Sequence, residues 1–206
     1  MNTSNRRTHL KRVLRFAVGI TAAGAVLGTT LAPTIMAQSL PGQTVQSTSA
    51  LALTVAETQG PYFKAGSPES TNLVQDGMQG QVITVTGQVL DASGQPVANA
   101  LLDFWQANSS GAYDNSGYTL RGHQYTDANG YYTLTTVVPG LYPGRTEHIH
   151  VKVQAPNGPM LTTQLFFPGV TQNNRDSIYD PSLLLNVSDN GDGTLAATYS
   201  FVVATA

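Results

Sequence analysis

Apolar and polar side chains alternate in short runs along most of this chain after residue 81, and turn residues separate the runs. In the first run Ile83, Val85 and Val89 are apolar and polar residues lie between them, and the turn Asp91–Pro96 follows. A period of two is typical of a strand with one buried and one wet face, and no stretch shows a convincing helical period. The pattern predicts an all-β fold, a two-sheet antiparallel β-sandwich with strands at 83–89, 100–107, 131–138, 148–154, 161–167 and 195–203.

Two connections in this pattern are too long for simple turns, Asn108–Tyr125 and Pro168–Leu183. Long loops in a compact domain are usually functional or disordered. The first carries three tyrosines, an arginine and a histidine, which is too aromatic a composition for plain disorder. We therefore expect long ligand-bearing loops. The roles of Arg121 and His123 in the first loop stay open: His123 is a replacement ligand if Tyr113 is not one, although an exposed loop histidine is the commoner outcome.

The stretch 139–150 concentrates side chains that can carry chemistry. If the chain is extended after Arg145, His148 and His150 point to one face about 7 Å apart, while Ile149 points into the core. Their ring tips can then converge on one ion. A His-x-His pair alone is weak evidence for a metal, because such pairs also occur on solvated strand faces.

The neighbours of this pair make a metal more plausible. Tyr142, Arg145 and, from the first long loop, Tyr113 are candidates for the same pocket. The chain contains no cysteine, so any ligands must be nitrogen or oxygen, and two phenolates with two imidazoles suit a ferric ion better than zinc or copper(I). Each tyrosine also has a structural alternative, as a core residue or as a cap of the sandwich.

The first 37 residues predict an export signal. A basic segment that includes Arg6 and Arg7 precedes an apolar stretch at 16–31, and Ala37 offers a cleavage site. The paired arginines suit a twin-arginine signal, a general-secretion signal is the equal alternative, and an uncleaved N-terminal anchor is a third option. We expect a flexible linker at 38–56, rich in Ser, Thr, Gln and Ala, one β domain at 57–206, and a periplasmic or extracellular location.

Removing such a leader changes the charge of the chain. All 12 acidic residues but only half of the 10 basic ones lie after residue 37, which leaves a net charge near −7. Nucleic acid and anionic membranes are therefore not expected as partners of the exported domain.

Several segments together resemble the intradiol ring-cleavage dioxygenases, the family of the catechol, hydroxyquinol and protocatechuate enzymes. The resemblance extends over about 57–203 and keeps the order of the family's motifs. The segments that carry it are Glu57-Thr-Gln-Gly-Pro-Tyr62-Phe, Leu101-Leu-Asp-Phe-Trp105-Gln-Ala-Asn-Ser-Ser-Gly-Ala-Tyr113, Thr126-Asp-Ala-Asn-Gly-Tyr-Tyr132, Pro139-Gly-Leu-Tyr142, Arg145-Thr-Glu-His-Ile-His150 and Leu161-Thr-Thr-Gln164-Leu-Phe-Phe167.

The resemblance implies a transthyretin-like (prealbumin-like) sandwich with a non-haem Fe(III) site. The residues that match the family's iron ligands are Tyr113, Tyr142, His148 and His150. It also implies that Tyr142 accepts a substrate proton, while Arg145 and Gln164 act on the bound ring. The implied partners are a catechol substrate and O2, and the implied reaction cleaves the ring between the two hydroxyl carbons to a cis,cis-muconate-type product.

A non-catalytic alternative remains open at this point. The stretches 87–100 and 126–132 also resemble transthyretin-like binding or carrier modules of secreted proteins, which share the fold without the iron. Gln164 could be a polar edge residue, and Tyr62 could line the pocket mouth or only pack on the sheet. Tyr142 and Arg145 are separated by only two residues, fewer than in the catechol and protocatechuate enzymes, which predicts a lower pocket wall. The identity of the catechol and the oligomeric state, with a homodimer as one option, stay open.

Overall fold

The computed structural model describes residues 50–206. The predicted export signal and residues 38–49 of the predicted linker lie outside the described residues. Residues 50–206 form nine strands and two short 3₁₀ helices, the latter at Thr171–Asn174 and Pro181–Leu183. The strands are β1 Val82–Asp91, β2 Leu101–Trp105, β3 Arg121–Tyr125, β4 Tyr131–Val137, β5 His148–Gln154, β6 Met160–Phe166, β7 Asn186–Asp189, β8 Leu195–Thr198 and β9 Phe201–Val203. None of the helices in this part of the chain is long and apolar enough to span a membrane.

The strands form two sheets, which confirms the predicted β-sandwich. The four-stranded sheet has the order β3-β2-β5-β6 and is antiparallel throughout. The other sheet has the order β4-β1-β8-β7, and β9 also pairs with β1. In this second sheet β1 runs parallel to β8 and β9, so the sheet is mixed rather than purely antiparallel.

The inner faces of both sheets build the core as the alternation predicts. Ile83 and Val85 of β1 and Ile149, Val151 and Val153 of β5 are all 0 % exposed. Each such aliphatic side chain contributes on the order of 1.5–3 kcal/mol to folding through burial of apolar surface. Because Ile149 faces this core, the histidines on either side of it face outward from the same strand.

The sequence pattern missed β3 and β7. The first of these, Arg121–Tyr125, lies inside the connection expected to be a long loop. It pairs with all five residues of β2, and its buried positions include Arg121, Gly122 and Gln124 instead of aliphatic residues. An alternation of hydropathy therefore cannot reveal it. β7 is a four-residue, mostly exposed edge strand, so it shows no alternation of buried and exposed residues either.

The final predicted strand, 195–203, is present but interrupted. Its two parts, β8 and β9, pair with β1 in one continuous register, since Thr86 lies opposite Thr198 and Val89 lies opposite Phe201. Between them the backbone N–H of Gln88 donates to the hydroxyl of Ser200 at 3.3 Å. A side chain thus replaces a backbone carbonyl in the ladder.

The described end of the predicted linker lies against the sandwich. The backbone N–H groups of Leu51, Thr54 and Glu57 donate to carbonyls of both sheets at 2.7–2.9 Å. The chain then crosses the outer face of the four-stranded sheet as residues 58–72, here called the cover segment. It is held there by hydrogen bonds of 2.9 Å from His123 N to Pro68 O and from Ser70 N to His123 O. Backbone pairing, which leaves no trace in composition, orders this stretch.

Candidate active site

The site lies on the outer face of the four-stranded sheet, beneath the cover segment. Strand register places four side chains in one row across this face: Arg121 and His150 lie opposite Trp105 on its two sides, and Gln164 lies opposite His150. All four are at most 2 % exposed. The buried Trp105 stacks on the His150 ring at 4.8 Å between centroids and 3° between planes.

The two histidines converge as their spacing predicts. His148 Nε2 and His150 Nε2 are 3.1 Å apart, and the Tyr113 hydroxyl lies 3.3 Å from His148 Nε2. His148 Nδ1 lies 2.6 Å from the Thr146 carbonyl, and donation of its proton there leaves a lone pair on Nε2. Burial, aided by the charge of Arg145, lowers the pKa of His148 to about 4. Burial also holds the pKa of His150 well below its usual value, so both rings are neutral at pH 7.

Three tyrosines close the site on one side. The rings of Tyr62 and Tyr113 stack at 4.4 Å, and the Tyr142 ring meets the Tyr113 ring edge-on at 6.0 Å. The Tyr142 hydroxyl is 2.8 Å from the Tyr62 hydroxyl. Burial raises the pKa of Tyr113 to about 12, against the opposing effect of Arg145 and Arg121. The structure thus brings Tyr113 within hydrogen-bond distance of His148. Tyr142 lies at the edge of the site and is hydrogen-bonded to Tyr62.

Arg145 and Gln164 are held together. Arg145 Nη2 donates to Gln164 Oε1, and Gln164 Nε2 donates to the Thr58 carbonyl of the cover segment at 2.8 Å. Arg145 Nε donates to Asp176 at 2.9 Å. Gln164 is therefore a fixed link between the arginine and the cover segment and not an exposed edge residue.

The other uncertain residues now have positions. Arg121 is 2 % exposed and donates to the carbonyls of Tyr62 at 2.7 Å and Asp114 at 2.9 Å, so it ties the cover segment to the loop that carries Tyr113. His123 lies one row away from the site, with Nδ1 2.8 Å from the Ser67 carbonyl. It is not among the converging donors.

The connection between Tyr142 and Arg145 forms a low wall. Leu141 is 52 % exposed, and Pro143 and Gly144 are exposed as well. The short spacing predicts this openness. Sequence reasoning missed Thr146 and Asp176, since one threonine and one aspartate in irregular segments give no periodic signal.

The loops that carry the two tyrosines touch through glycine. A Cβ on Gly111 would lie 2.1 Å from the Leu141 carbonyl oxygen, and Gly111 has a φ of +82°. A backbone this close has no room for a side chain, and the left-handed conformation adds strain for any other residue. The two loops, and with them Tyr113 and Tyr142, are therefore positioned as a unit.

We expect Gly111→Ala to lower the free energy of unfolding by about 2–4 kcal/mol, since strain and overpacking add. Activity should fall as well, because the Leu141 carbonyl next to Tyr142 must move. Gly191→Ala is the matched control, with a φ of +79° and nothing within 4 Å of its Cβ; it should cost about 1 kcal/mol and leave turnover intact. Denaturant unfolding and turnover assays are run on both variants. If the two variants lost equal amounts of stability and activity, the contact between the loops would be unimportant.

The arrangement of donors fits a metal ion. Adjacent ligands with bonds of roughly 2.1 Å to one ion at near right angles lie about 3 Å apart, close to the 3.1 and 3.3 Å separations seen here. With its Nδ1 proton donated to Thr146, His148 directs the Nε2 lone pair toward His150 Nε2, and a cation could take both of these nitrogens as ligands. No group of three or more His, Cys, Asp or Glu within residues 50–206 could hold a metal; the third atom of this cluster is the Tyr113 hydroxyl oxygen.

Fold and site together define a class of protein: a two-sheet β-sandwich that gathers histidine nitrogens and tyrosine oxygens under a cover segment. A family model described as Dioxygenase matches residues 58–204. The chain belongs to this family, the intradiol dioxygenases, as its sequence motifs predict.

Individual relatives agree with this assignment. The dioxygenase domain of a dioxygenase carbohydrate-binding protein fusion from the cellulolytic bacterium Streptomyces sp. SirexAA-E is 50 % identical with a TM-score of 0.73, over 75 % of this chain and 100 % of that one. The 3-chlorocatechol 1,2-dioxygenase of Rhodococcus opacus 1CP is 30 % identical with a TM-score of 0.70, over 74 % and 73 %. The protocatechuate 3,4-dioxygenase beta chain of Burkholderia cepacia is 38 % identical over 48 % of this chain and 50 % of its own length. The chain spans about half the length of the curated relatives it matches.

Proposed function

We propose that this protein is a non-haem Fe(III)-dependent intradiol dioxygenase. In this proposal Tyr113, Tyr142, His148 and His150 hold the ion. The substrate is a catechol-type aromatic, cleaved between its hydroxyl carbons to a cis,cis-muconate-type product that contains both atoms of O2. The observation that carries the proposal is the convergence of Tyr113, His148 and His150 within 3.1–3.3 Å. A transthyretin-like carrier module has no need for two buried imidazoles whose Nε2 atoms converge beside a tyrosine hydroxyl.

The chemistry that a bound ferric ion supplies is Lewis acidity, which draws electron density from a catecholate and makes the ring reactive toward O2. The residues of the chain bind, orient and deprotonate the substrate. Tyr142 is suited to proton transfer because its hydroxyl lies at the edge of the cluster, beside Tyr62. As a ligand of the ion Tyr142 would be a phenolate, and its oxygen would accept a proton from a substrate hydroxyl, while the Tyr62 hydroxyl stabilises that oxygen in either protonation state.

Arg145 and Gln164 act on the charge of the ring. A fixed cation stabilises negative charge that develops in the reaction more strongly than a mobile one, because its orientation is set beforehand. The Arg145 guanidinium is fixed by hydrogen bonds through Nε and Nη2. Nη1 is the nitrogen that neither bond occupies. The Arg145 side chain is 18 % exposed, so a substrate can approach Nη1 over the low wall between Tyr142 and Arg145.

The test is to load the purified protein with Fe(III) and to follow oxygen uptake and product together. We expect one iron per chain, a red to burgundy colour from phenolate-to-iron charge transfer, and muconate-type product from at least one of catechol, hydroxyquinol, protocatechuate or caffeate-type substrates. Removal of iron by a chelator should abolish colour and turnover. A protein that stays colourless and iron-free after loading, or a product cut outside the hydroxyl pair, would overturn the proposal.

We also propose that the domain is exported to the periplasm or beyond, because residues 1–37 carry a basic segment, an apolar stretch and a small residue at Ala37. Cell fractionation with N-terminal sequencing tests this. Retention of the intact leader in the cytoplasm would contradict it.

A further inference from the structure

One buried carboxylate outside the proposed ligand set contacts the site from a distant part of the chain. Asp176 lies in the long connection between β6 and β7 and is 7 % exposed. Its Oδ2 accepts from Arg145 Nε and from the Thr146 backbone N–H, both at 2.9 Å. Its Oδ1 accepts from the Ile178 backbone N–H at 3.1 Å. Both oxygens are thus engaged.

We propose that Asp176 is a positioning residue for catalysis, which fixes the Arg145 guanidinium and the start of the histidine-bearing strand as a unit. This inference rests on the proposed function, since it assigns Arg145 to the bound substrate. Nothing in the sequence pattern points to Asp176, and its role is visible only in the contacts.

Asp176 helps to orient the Arg145 guanidinium. A flexible arginine side chain loses much of its electrostatic value when it moves, so the groups that orient it matter. Asp176 accepts from Nε, and Gln164 accepts from Nη2. Gln164 is in turn fixed by the Thr58 carbonyl. The plane of the guanidinium is therefore set by two side chains, one at Nε and one at Nη2.

Asp176 also contacts the segment that leads into the histidine-bearing strand β5. The N–H of Thr146 donates to Asp176, and the carbonyl of the same residue lies 2.6 Å from His148 Nδ1. The Thr146 hydroxyl also donates to the Asn173 side chain. The group that orients His148 is therefore anchored by the carboxylate that orients Arg145, so displacement of Asp176 disturbs both.

The carboxylate is charged in this position. Burial by itself would raise the pKa of Asp176, but hydrogen bonds from Thr146, Ile178 and Arg145 together keep it below the usual value. A buried charged pair gains from low local dielectric when both carboxylate oxygens are hydrogen-bonded, as here. Removing one partner leaves the other without compensation.

The experiment compares Asp176→Asn with Asp180→Asn, a matched control from the same connection whose carboxylate only caps Ser182. With iron-loaded protein, Asp176→Asn should lower kcat/KM by about 10- to 100-fold, the usual effect of losing a group that orients a site residue. Asp176→Glu should restore part of this loss, and Asp180→Asn should match the wild type. Wild-type kcat/KM in Asp176→Asn would overturn the inference.

A double-mutant cycle separates positioning from a merely structural role. Asp176→Asn should cost clearly less in an Arg145→Gln background than in the wild type, because the part of the loss that runs through Arg145 is already gone there and only the part that runs through Thr146 remains. Equal losses in both backgrounds would show that Asp176 does not position Arg145.

A measurement on the metal-free full chain needs no activity. The Arg145 Nε–H NMR signal, assigned by its disappearance in Arg145→Lys, should exchange slowly with solvent in the wild type. Rapid exchange would overturn the inference even if Asp176→Asn fails to fold. Absence of iron binding or turnover in the wild type would instead overturn the proposed function, while this signal still decides whether Asp176 fixes Arg145.

Discussion

Replacing His148 with alanine is expected to abolish iron binding, colour and ring cleavage together. His148 Nε2 is the central donor of the cluster, 3.1 Å from His150 Nε2 and 3.3 Å from the Tyr113 hydroxyl. Removing a group that only orients a metal ligand lowers metal affinity or activity by about 10- to 100-fold. Removing the proposed ligand His148 itself should therefore lower both by more than about 100-fold. Iron content, the visible charge-transfer band and oxygen uptake measure the effect.

The fold should survive this substitution. The neighbouring Ile149 faces the core and stays in place, so circular dichroism should remain β-rich. His123→Ala is the matched control, because His123 lies on the same face of the same sheet but contacts Ser67. It should keep iron and colour. If His148→Ala kept full turnover, or if His123→Ala lost the colour instead, the assignment of the ligands would be wrong.

Replacing Arg145 with glutamine is expected to lower kcat/KM by about 100- to 1,000-fold, the range seen when a fixed group that stabilises developing charge is removed. Iron should stay bound, because Arg145 is not a donor to it. The change also leaves Asp176 buried without its cation, so the free energy of unfolding should fall by roughly 3–5 kcal/mol. Steady-state kinetics, iron content and denaturant unfolding distinguish these effects.

Two further variants sharpen this result. Arg145→Lys keeps the charge but has no planar fork to reach Asp176 and Gln164 at once, so it should recover only part of the activity. Arg175→Gln removes an exposed cation next to Asp176 in the sequence and should leave turnover unchanged. If it lowered turnover as much as Arg145→Gln does, the effect would come from net charge and not from a placed guanidinium.

The sequence alone predicted the parts of this protein that depend on alternation. Ile149, between two histidines, has to face the core, which places His148 and His150 on one outer face wherever the strand lies in the sheet. Their convergence follows, and the structure confirms it at 3.1 Å. The order of the motifs likewise predicted the family, which the match over 58–204 confirms.

A strand whose buried residues are polar could not be predicted from alternation. β3 is buried partly through Arg121 and Gln124. Their side chains find hydrogen-bond partners outside the strand, at Tyr62, 59 positions away, and at Thr133 in the other sheet. Such partners cannot be seen in a local window, because sequence neighbours do not reveal which carbonyls will be near. The same holds for residues 51–57, which are ordered by backbone hydrogen bonds to both sheets.

The sequence by itself determined the β class, the outward face of the histidine pair and the residue types available to an ion, because each depends on side-chain chemistry or on a period of two. Only the tertiary structure decided that Tyr62 packs against Tyr113, that Gln164 is fixed between Arg145 and Thr58, and that Asp176 anchors both Arg145 and Thr146. These contacts join residues up to 106 positions apart, and their distances depend on how loops close over a sheet. Local pattern carries no information on that closure.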